Sequence, residues 1–412
     1  MSDTSAWLPA SEDRPGQPIG TKPATDYVSR LAILDKQQGL IGYELRFADP
    51  DGPGCNGVYD AIAEADTWPV SSSLAFLPMR TSFFKQDPPV SLVADRTVFV
   101  LGDRLAAAPE TLDNIIKLRK QGYRICIEAV DDRPEAHRLI TVADFIRLDW
   151  RALGPRLAEV SWRLRSHPVK QIVARVRHKS EFASCIKVGV DAVQGDFFVR
   201  PGTMKSKGIS PARANIATLM SLVRENAEMK RIDEILRRDA SISYKLLRYI
   251  NSAAFGLSSE VQSFRHAVTL LGYEKLASWL GILLVSAGDD NMSPALMKAA
   301  VVRGQFANLI GKHCLPAKEC DDLFIVGLFS LLDVMMEMRM DAILEQIKLG
   351  SSVANALLRR EGPFGGLLAL IEACEGGDFE RSAAAAAALK LDPEKVNRAH
   401  LEAIDWVERL PV

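Results

Sequence analysis

The sequence predicts two folded domains, a (β/α) barrel followed by an all-helical bundle. From residue 27 to residue 201, short strand-like segments alternate with helical ones, which argues for a barrel rather than a sandwich. After residue 208 the apolar residues keep a helical period to the end of the chain. A Gly/Lys/Ser segment at 202–208 is typical of a linker. The predicted units are a disordered leader at 1–26, a barrel at 27–202 and a helical domain at 203–412.

Composition limits the function classes. A chain of 412 residues with a net charge of −1 has no overall electrostatic signal for nucleic acid, although a local basic surface at 237–248 keeps that class as a disfavoured alternative. Six cysteines without a C-x-x-C pair indicate reduced thiols and a cytoplasmic location. The apolar segment Ser278–Ala287 is too short to span a membrane, so we expect it in the bundle core and expect no membrane insertion.

Eight candidate strands form the predicted barrel. Only Asp35–Gly39 separates the first two, and because a parallel crossover needs a dozen or more residues, we expect this pair to be antiparallel. About 175 residues is short against the roughly 250 usual for such barrels, so some outer helices should be short or missing. The strands are predicted at Ser29–Leu34, Leu40–Phe47, Ser73–Leu77, Thr97–Leu101, Arg124–Ala129, Phe145–Trp150, Gln171–Val176 and Ala192–Phe197. Helices are predicted at Pro109–Gln121, Pro134–Thr141, Gly154–Ser166 and Ser180–Val188.

The helical half is organised around residues 239–272. Ile242, Leu246 and Ile250 recur every four residues, which predicts an apolar stripe along one helix. Ser263 is placed to cap a second helix, and Gly272 is placed to end it. Two short amphipathic helices cannot bury their own stripes, so they require a larger bundle around them.

These helices carry a family resemblance. The segment SYKLLRYINS at Ser243–Ser252, the following AAFGL, and the AVTLLG that ends at Gly272 resemble the core signature of the HDOD domain. The segment VGLFSLLDVMM at Val326–Met336 extends the likeness. HDOD domains are all-helical relatives of the HD and HD-GYP phosphohydrolases and are treated as regulatory modules. The resemblance therefore implies an output domain that docks another signalling protein.

The barrel half carries a second resemblance. The segments GYEL at Gly42, GYRICIEAV at Gly122, ADFIRLDW at Ala143 and QGDFFVRP at Gln194 are similar, in the same order, to landmarks of the EAL domain. Intact EAL domains are TIM-like barrels and Mg²⁺- or Mn²⁺-dependent phosphodiesterases that open cyclic di-GMP. An EAL-like barrel followed by an HDOD domain is itself a recurring bacterial signalling arrangement.

The EAL resemblance implies three acidic positions. Glu44 and Asp149 match metal-ligand positions of the family, and Glu128 matches approximately, where the family has an Asp-Asp pair. Hard oxygen ligands of this kind are what divalent cations require. We expect these three acids to be either an ion-paired remnant of the metal site or a weak metal or nucleotide site.

Other positions depart from the EAL pattern. Pro78 stands where the family has Asn, and Arg175 and Arg177 stand where it has acids. A guanidinium group repels a divalent cation and lowers the pKa of a carboxyl that it pairs with. The interpretation is a degenerate site in which Arg175 and Arg177 form ion pairs with Glu128 or Asp149. No cofactor is expected unless the remnant site holds Mg²⁺ or Mn²⁺.

The helical half lacks the residues of the phosphohydrolases that it resembles. Those enzymes need an adjacent His-Asp pair to hold their metals, and none of the six histidines is followed by Asp. The chain also has no G-x-S-x-G segment and no P-loop. This half is therefore not expected to hydrolyse phosphate esters by that mechanism.

The sequence favours a non-catalytic signal-transduction protein over its main alternative, an active cyclic di-GMP phosphodiesterase with an altered metal site. The barrel would be a sensor or scaffold with cyclic di-GMP as a candidate ligand. Arg248, with Tyr249 or His266 beside it, is predicted to border the surface that docks the partner protein, because Tyr and Arg anchor many interfaces.

Overall fold

A computed structural model gives the fold of the chain. It describes residues 27–47, 59, 62, 73–84, 86–89, 92–102, 106, 108, 110–129, 139–202, 209–238, 240–251, 261, 263–287, 293–347 and 349–410. The leader at 1–26, the linker residues 203–208 and most of the helix predicted at Pro134–Thr141 lie outside the described residues.

All eight predicted strands are present, and they close into a barrel in chain order. β1 runs antiparallel to both neighbours, β2 and β8, which confirms the prediction for the first pair. The other neighbouring strands pair in parallel. The strands are β1 (Val28–Leu34), β2 (Leu40–Phe47), β3 (Leu74–Pro78), β4 (Thr97–Leu101), β5 (Arg124–Ala129), β6 (Phe145–Asp149), β7 (Lys170–Val176) and β8 (Ala192–Gly195).

The turn between β1 and β2 is fixed by one side chain. Asp35 Oδ1 accepts hydrogen bonds from the backbone N–H groups of Gln37 and Gly39, at 2.9 and 2.7 Å. An aspartate that bonds the backbone of the following residues is a common way to stabilise a tight turn. The short connection therefore forces the antiparallel start of the barrel.

Short helices pack outside the barrel, as its lean length predicts. Those whose bounds fall within the described residues are α1 (Thr111–Lys120), α2 (Trp150–Leu153), α3 (Leu157–Leu164) and α4 (Lys179–Val188). The barrel interior is filled by alternate strand residues, so it is a packed core rather than a pore. These interior residues are Ile33, Leu74, Phe76, Val98, Val100, Cys126, Phe145, Ile172 and Ala192.

The second half is helical throughout its described length. Its helices are α5 (Pro211–Arg224), α6 (Met229–Arg238), α7 (Ala240–Ile250), α8 (Phe264–Ser286), α9 (Pro294–Gly311), α10 (Ala317–Phe329), α11 (Leu332–Met336), α12 (Met340–Gln346), α13 (Ser351–Arg359), α14 (Gly365–Gly376), α15 (Phe379–Ala388) and α16 (Pro393–Glu408).

The two helices at 239–272 form in part as predicted. On α7, the stripe residues Ile242, Leu246 and Ile250 are buried. Ser263 caps α8, since its Oγ accepts a hydrogen bond from the backbone N–H of His266 at 3.1 Å. Gly272 has a φ of 78°, outside the helical range, so the first helical segment of α8 ends there as predicted. A second helical segment follows directly after this kink, and its apolar residues are buried in the bundle.

Helix α8 combines the two helical segments on either side of the Gly272 kink. The segment Ser278–Ala287 was expected to be too short to span a membrane, but it continues a helix of 23 residues with a mean hydropathy of 1.4. By length and composition alone, α8 is the one described helix that could cross a membrane. Its residues from Leu276 to Val285 are all buried, which is the environment of a core helix within the bundle.

The helical half packs directly on β1, where the antiparallel connection leaves no outer helix. Arg30 on β1 pairs with Glu375 on α14 at 2.7 Å, and Arg303 on α9 pairs with the other oxygen of the same carboxylate at 2.7 Å. The backbone N–H of Val28 donates to Asn397 Oδ1 on α16 at 2.9 Å. The two halves therefore share a buried polar interface.

His400 lies at this interface, and neither of its ring nitrogens has a hydrogen-bond partner within the part of the chain that the structure describes. Its ring stacks on Phe306 with centroids 4.6 Å apart. Burial, together with the charge of Arg30, holds the pKa of His400 well below its ordinary value of 6.5. The unfolded chain therefore binds a proton near pH 6.5 that the folded chain does not bind, so the fold loses stability as pH falls below that value.

We predict that urea unfolding shows this loss. Between pH 6.5 and pH 5.5 the wild type should lose about 1 kcal/mol more unfolding free energy than a His400→Phe variant, which keeps an aromatic ring but cannot titrate. Urea midpoints and slopes measured at pH 7.5, 6.5 and 5.5 give the comparison. Equal pH dependence in both proteins would show that His400 protonates freely in the folded state.

Candidate active site at the mouth of the barrel

Charged side chains close the interior of the barrel at one end. Because β2–β8 run parallel, their carboxyl ends meet at this mouth, where barrel enzymes place their active sites. The three predicted acids lie on these strands: Glu44 on β2, Glu128 on β5 and Asp149 on β6. The fold thus gathers side chains that are about a hundred residues apart in the sequence.

Arg147 on β6 is at the centre of this cluster. Its Nη1 donates to Glu44 and its Nη2 donates to Glu128. Arg147 is 8% exposed and Glu44 is 4% exposed, so this pair is removed from water. Gln194 Nε2 donates to Glu44 Oε2 at 2.6 Å, and Arg46 Nε lies 3.1 Å from the same oxygen. Both oxygens of Glu44 therefore have donors, as a buried carboxylate requires.

Electrostatics keep Glu44 and Arg147 charged. Burial alone would raise the pKa of Glu44, but attraction by Arg147 and Arg46 outweighs burial and holds that pKa below its ordinary value of 4.5. Burial alone would lower the pKa of Arg147, yet the Glu44 carboxylate raises it above its ordinary value. The two groups consequently persist as an ion pair at neutral pH.

Asp149 takes part in two interactions. Its Oδ1 caps α2 by accepting a hydrogen bond from the backbone N–H of Arg151 at 2.8 Å, and its Oδ2 pairs with Arg175. Arg175 has a φ of 62°, in the left-handed region, and lies where the pairing of β7 with β8 shifts register between Val173 and Val176. The bulge thus turns the Arg175 side chain toward Asp149.

The predicted ion pairs form only in part. Arg175 pairs with Asp149 as predicted, but Glu128 pairs with Arg147 instead of Arg175 or Arg177. Arg177 follows β7 with an exposed side chain, and it has no ion-pair partner among the described residues; only its backbone N–H is bound, to Glu181. Pro78 ends β3, and its carbonyl oxygen accepts a hydrogen bond from Tyr59 at 2.6 Å.

Sequence reasoning missed Arg147, Gln194 and Arg46 as members of the site. A signal for Arg147 was present, because β6 is otherwise apolar and the alternation of a strand places Arg147 on the same face as Asp149. The same alternation along β2 places Arg46 beside Glu44. Gln194 carried no comparable signal, since a single amide in a strand is common on either face.

The residues at the mouth can be compared with what a divalent-cation site requires. Carboxylates are ligands that Mg²⁺ and Mn²⁺ prefer. Glu44 and Glu128 are instead bound to one guanidinium group and Asp149 to another. No group of three His, Cys, Asp or Glu side chains within the described ranges is placed to hold a metal ion. As arranged, these residues do not fit a divalent cation, because guanidinium groups already neutralise each carboxylate.

The helical half presents part of its predicted docking surface. The side chains of Arg248 and His266 are exposed, whereas the side chain of Tyr249 lies outside what the structure describes. Asn251 is tied to Val261 by two hydrogen bonds, at 2.9 and 2.8 Å, which fix the end of α7. The role of the docking surface stays a prediction.

Comparison with known proteins identifies the helical half. Residues 211–356 match the family model of the HDOD domain. With the closed barrel that bears the four EAL-like segments, this match decides the architecture. The chain is an EAL-HDOD protein. The cyclic di-GMP phosphodiesterase CdgJ of Vibrio cholerae is 26% identical to it over 97% of this chain and 96% of CdgJ. The uncharacterized protein YuxH of Bacillus subtilis is 22% identical over 93% of this chain and 98% of YuxH.

Solved structures match at lower similarity. The PaMucR phosphodiesterase in complex with c-di-GMP is 14% identical, with a TM-score of 0.36, and the match covers 42% of this EAL-HDOD chain and 94% of the other. The EAL-like domain protein YdiV is 13% identical, with a TM-score of 0.32, over 41% of this chain and 89% of the other.

The prediction that this EAL-HDOD protein is not an enzyme is wrong. CdgJ, which aligns over nearly the whole chain, is a cyclic di-GMP phosphodiesterase. The prediction rested on counting acidic ligands against the EAL pattern. That count treated Arg175 and Arg177 as lost ligands that neutralise the remaining acids, and it left out Arg147, which the structure places between Glu44 and Glu128.

The buried ion pair predicts unequal effects of two arginine substitutions. Arg147→Met leaves Glu44 buried without its main counter-charge, so it should cost about 3 to 5 kcal/mol of unfolding free energy. Arg175→Met removes a side chain that is 53% exposed, so it should cost no more than about 1 kcal/mol. Urea unfolding measures both. Equal losses would show that Glu44 does not depend on Arg147.

Proposed function

We propose that this EAL-HDOD protein is a cyclic di-GMP phosphodiesterase whose active site is the barrel mouth. The observation that carries the proposal is the similarity to CdgJ, a cyclic di-GMP phosphodiesterase, along almost the full length of both chains. The cluster of three carboxylates with guanidinium groups at the mouth supports it, because such groups suit phosphodiester chemistry.

Hydrolysis of a phosphodiester requires a water oriented by a base and stabilisation of charge on the phosphoryl oxygens. Glu128 is the acid best placed for the first task, since its side chain is 34% exposed and Arg147 binds its Oε1. Arg175 and Arg46 reach solvent at the mouth and suit the second task. Glu44 is buried and positions Arg147. Water attack at phosphorus would break one ester bond of the ring and release a linear dinucleotide.

The helical half would be the output of the same protein. It contacts the barrel through Arg30, Glu375 and Arg303, so a displacement of β1 would be transmitted to α14 and α9. A partner protein would dock beside Arg248 and His266, the exposed members of the predicted surface. Recognition would use their charge and contact area, as at many protein interfaces.

An assay of purified protein tests the activity. Cyclic di-GMP incubated with the wild type should yield linear dinucleotide, resolved by chromatography, in at least one of three buffers containing Mg²⁺, Mn²⁺ or EDTA. Glu128→Gln should reduce the rate by about a hundredfold or more, since a positioned base contributes that much. Glu159→Gln, an exposed acid on α3, is the matched control and should keep the wild-type rate. Absence of linear product in all three buffers would contradict the proposal.

A further inference from the structure

Arginine side chains outnumber the acids at the barrel mouth. Within the described residues, the three carboxylates face four guanidinium groups, on Arg46, Arg147, Arg175 and Arg177. Two neighbouring pairs, Arg151 with Glu181 and Arg200 with Asp196, add no net charge. The excess of positive charge would attract an anion and repel a free divalent cation.

The guanidinium groups repel one another. Partial burial and the charges of Arg46, Arg177 and Arg147 lower the pKa of Arg175 from its ordinary value. An arginine surrounded by three others is stabilised by an anion that can contact more than one of them. A phosphodiester, which offers two oxygens in a plane, matches the fork of a guanidinium group.

Arg175 is held in an uncommon conformation. It is a non-glycine residue with a φ of 62°, on a bulge that interrupts the pairing of β7 with β8. Such a backbone costs free energy, and it is found where the surrounding structure uses it to aim a side chain. Here it directs a half-exposed guanidinium group across the mouth to Asp149.

A buried hydrogen-bond acceptor beside these groups also lacks a donor among the described residues. Gln194 is 1% exposed, and its Nε2 donates to Glu44, yet its Oε1 meets no donor within the described residues. A buried amide oxygen without a partner is costly. A ligand hydroxyl or N–H group that entered the mouth could satisfy it.

We propose, resting on the proposed function, that the arginines at the mouth bind the phosphodiester of cyclic di-GMP directly, without a divalent cation. Arg175 exchanges the Asp149 carboxylate for a phosphate oxygen, and Arg46 and Arg177 contribute the remaining positive charge. The exchange is favourable because Arg175 keeps a charged partner throughout, and Arg177, which has no ion-pair partner among the described residues, gains one. Binding of cyclic di-GMP in this barrel then does not depend on a metal ion.

Calorimetric titration of cyclic di-GMP into the full chain in EDTA tests the proposal. Wild type should bind, Arg175→Gln should bind about tenfold more weakly or worse, and Arg177→Gln should also bind more weakly. The matched control is Arg163→Gln on α3, a similarly exposed arginine that pairs with Glu159 outside the mouth and should bind as wild type does. Thermal melts establish whether each variant is folded. If Arg175→Gln does not fold, the titration of Arg177→Gln, a change at an exposed side chain, decides the outcome.

The outcomes separate this proposal from the proposed function. Binding that requires Mg²⁺ or Mn²⁺, or binding in EDTA that neither arginine variant weakens, overturns the arginine site and leaves phosphodiesterase activity intact. Binding in EDTA that the variants weaken supports the site. If such a protein releases no linear product in any buffer, the proposed function fails while the arginine site stands.

Discussion

The mouth of the barrel depends on one buried ion pair, between Arg147 and Glu44. Neither group could be this far from water alone, because an unpaired buried charge costs several kcal/mol. The pairing also determines the rest of the site. Arg147 binds Glu128 with its other terminal nitrogen. Gln194 and Arg46 donate to the remaining oxygen of Glu44. The carboxylates that resemble metal ligands are thereby organised around guanidinium groups.

A second buried charge cluster joins the halves. The antiparallel β1 leaves one side of the barrel without an outer helix, and the helical half covers that side with α14 and α16. Glu375 on α14 binds Arg303 from the bundle and Arg30 from the barrel, so the buried arginine of the barrel takes its ion-pair partner from the helical half. This arrangement links the barrel to the HDOD domain through side chains that must stay paired.

The features that could be predicted from the sequence are those determined by residues close together in the chain. The strand-like segments located all eight strands, and the short Asp35–Gly39 connection gave the antiparallel pair. Ser263 capped its helix as its position predicted. Partners far apart in the chain were not predictable, since Arg147 and Glu44 are separated by 103 residues and only the closed barrel brings them together. Gly272 interrupts the helix as its position predicted, but the second segment that follows it was not predicted to continue directly from the kink.

Electron paramagnetic resonance of Mn²⁺ added to the ligand-free protein tests most directly whether guanidinium groups, rather than a metal ion, neutralise the mouth. The Arg147 and Arg175 ion pairs predict that wild type and Asp149→Asn leave the same amount of Mn²⁺ free in solution, because Asp149 is not available as a ligand. One tightly bound Mn²⁺ per chain that is lost in Asp149→Asn would contradict this account of the site.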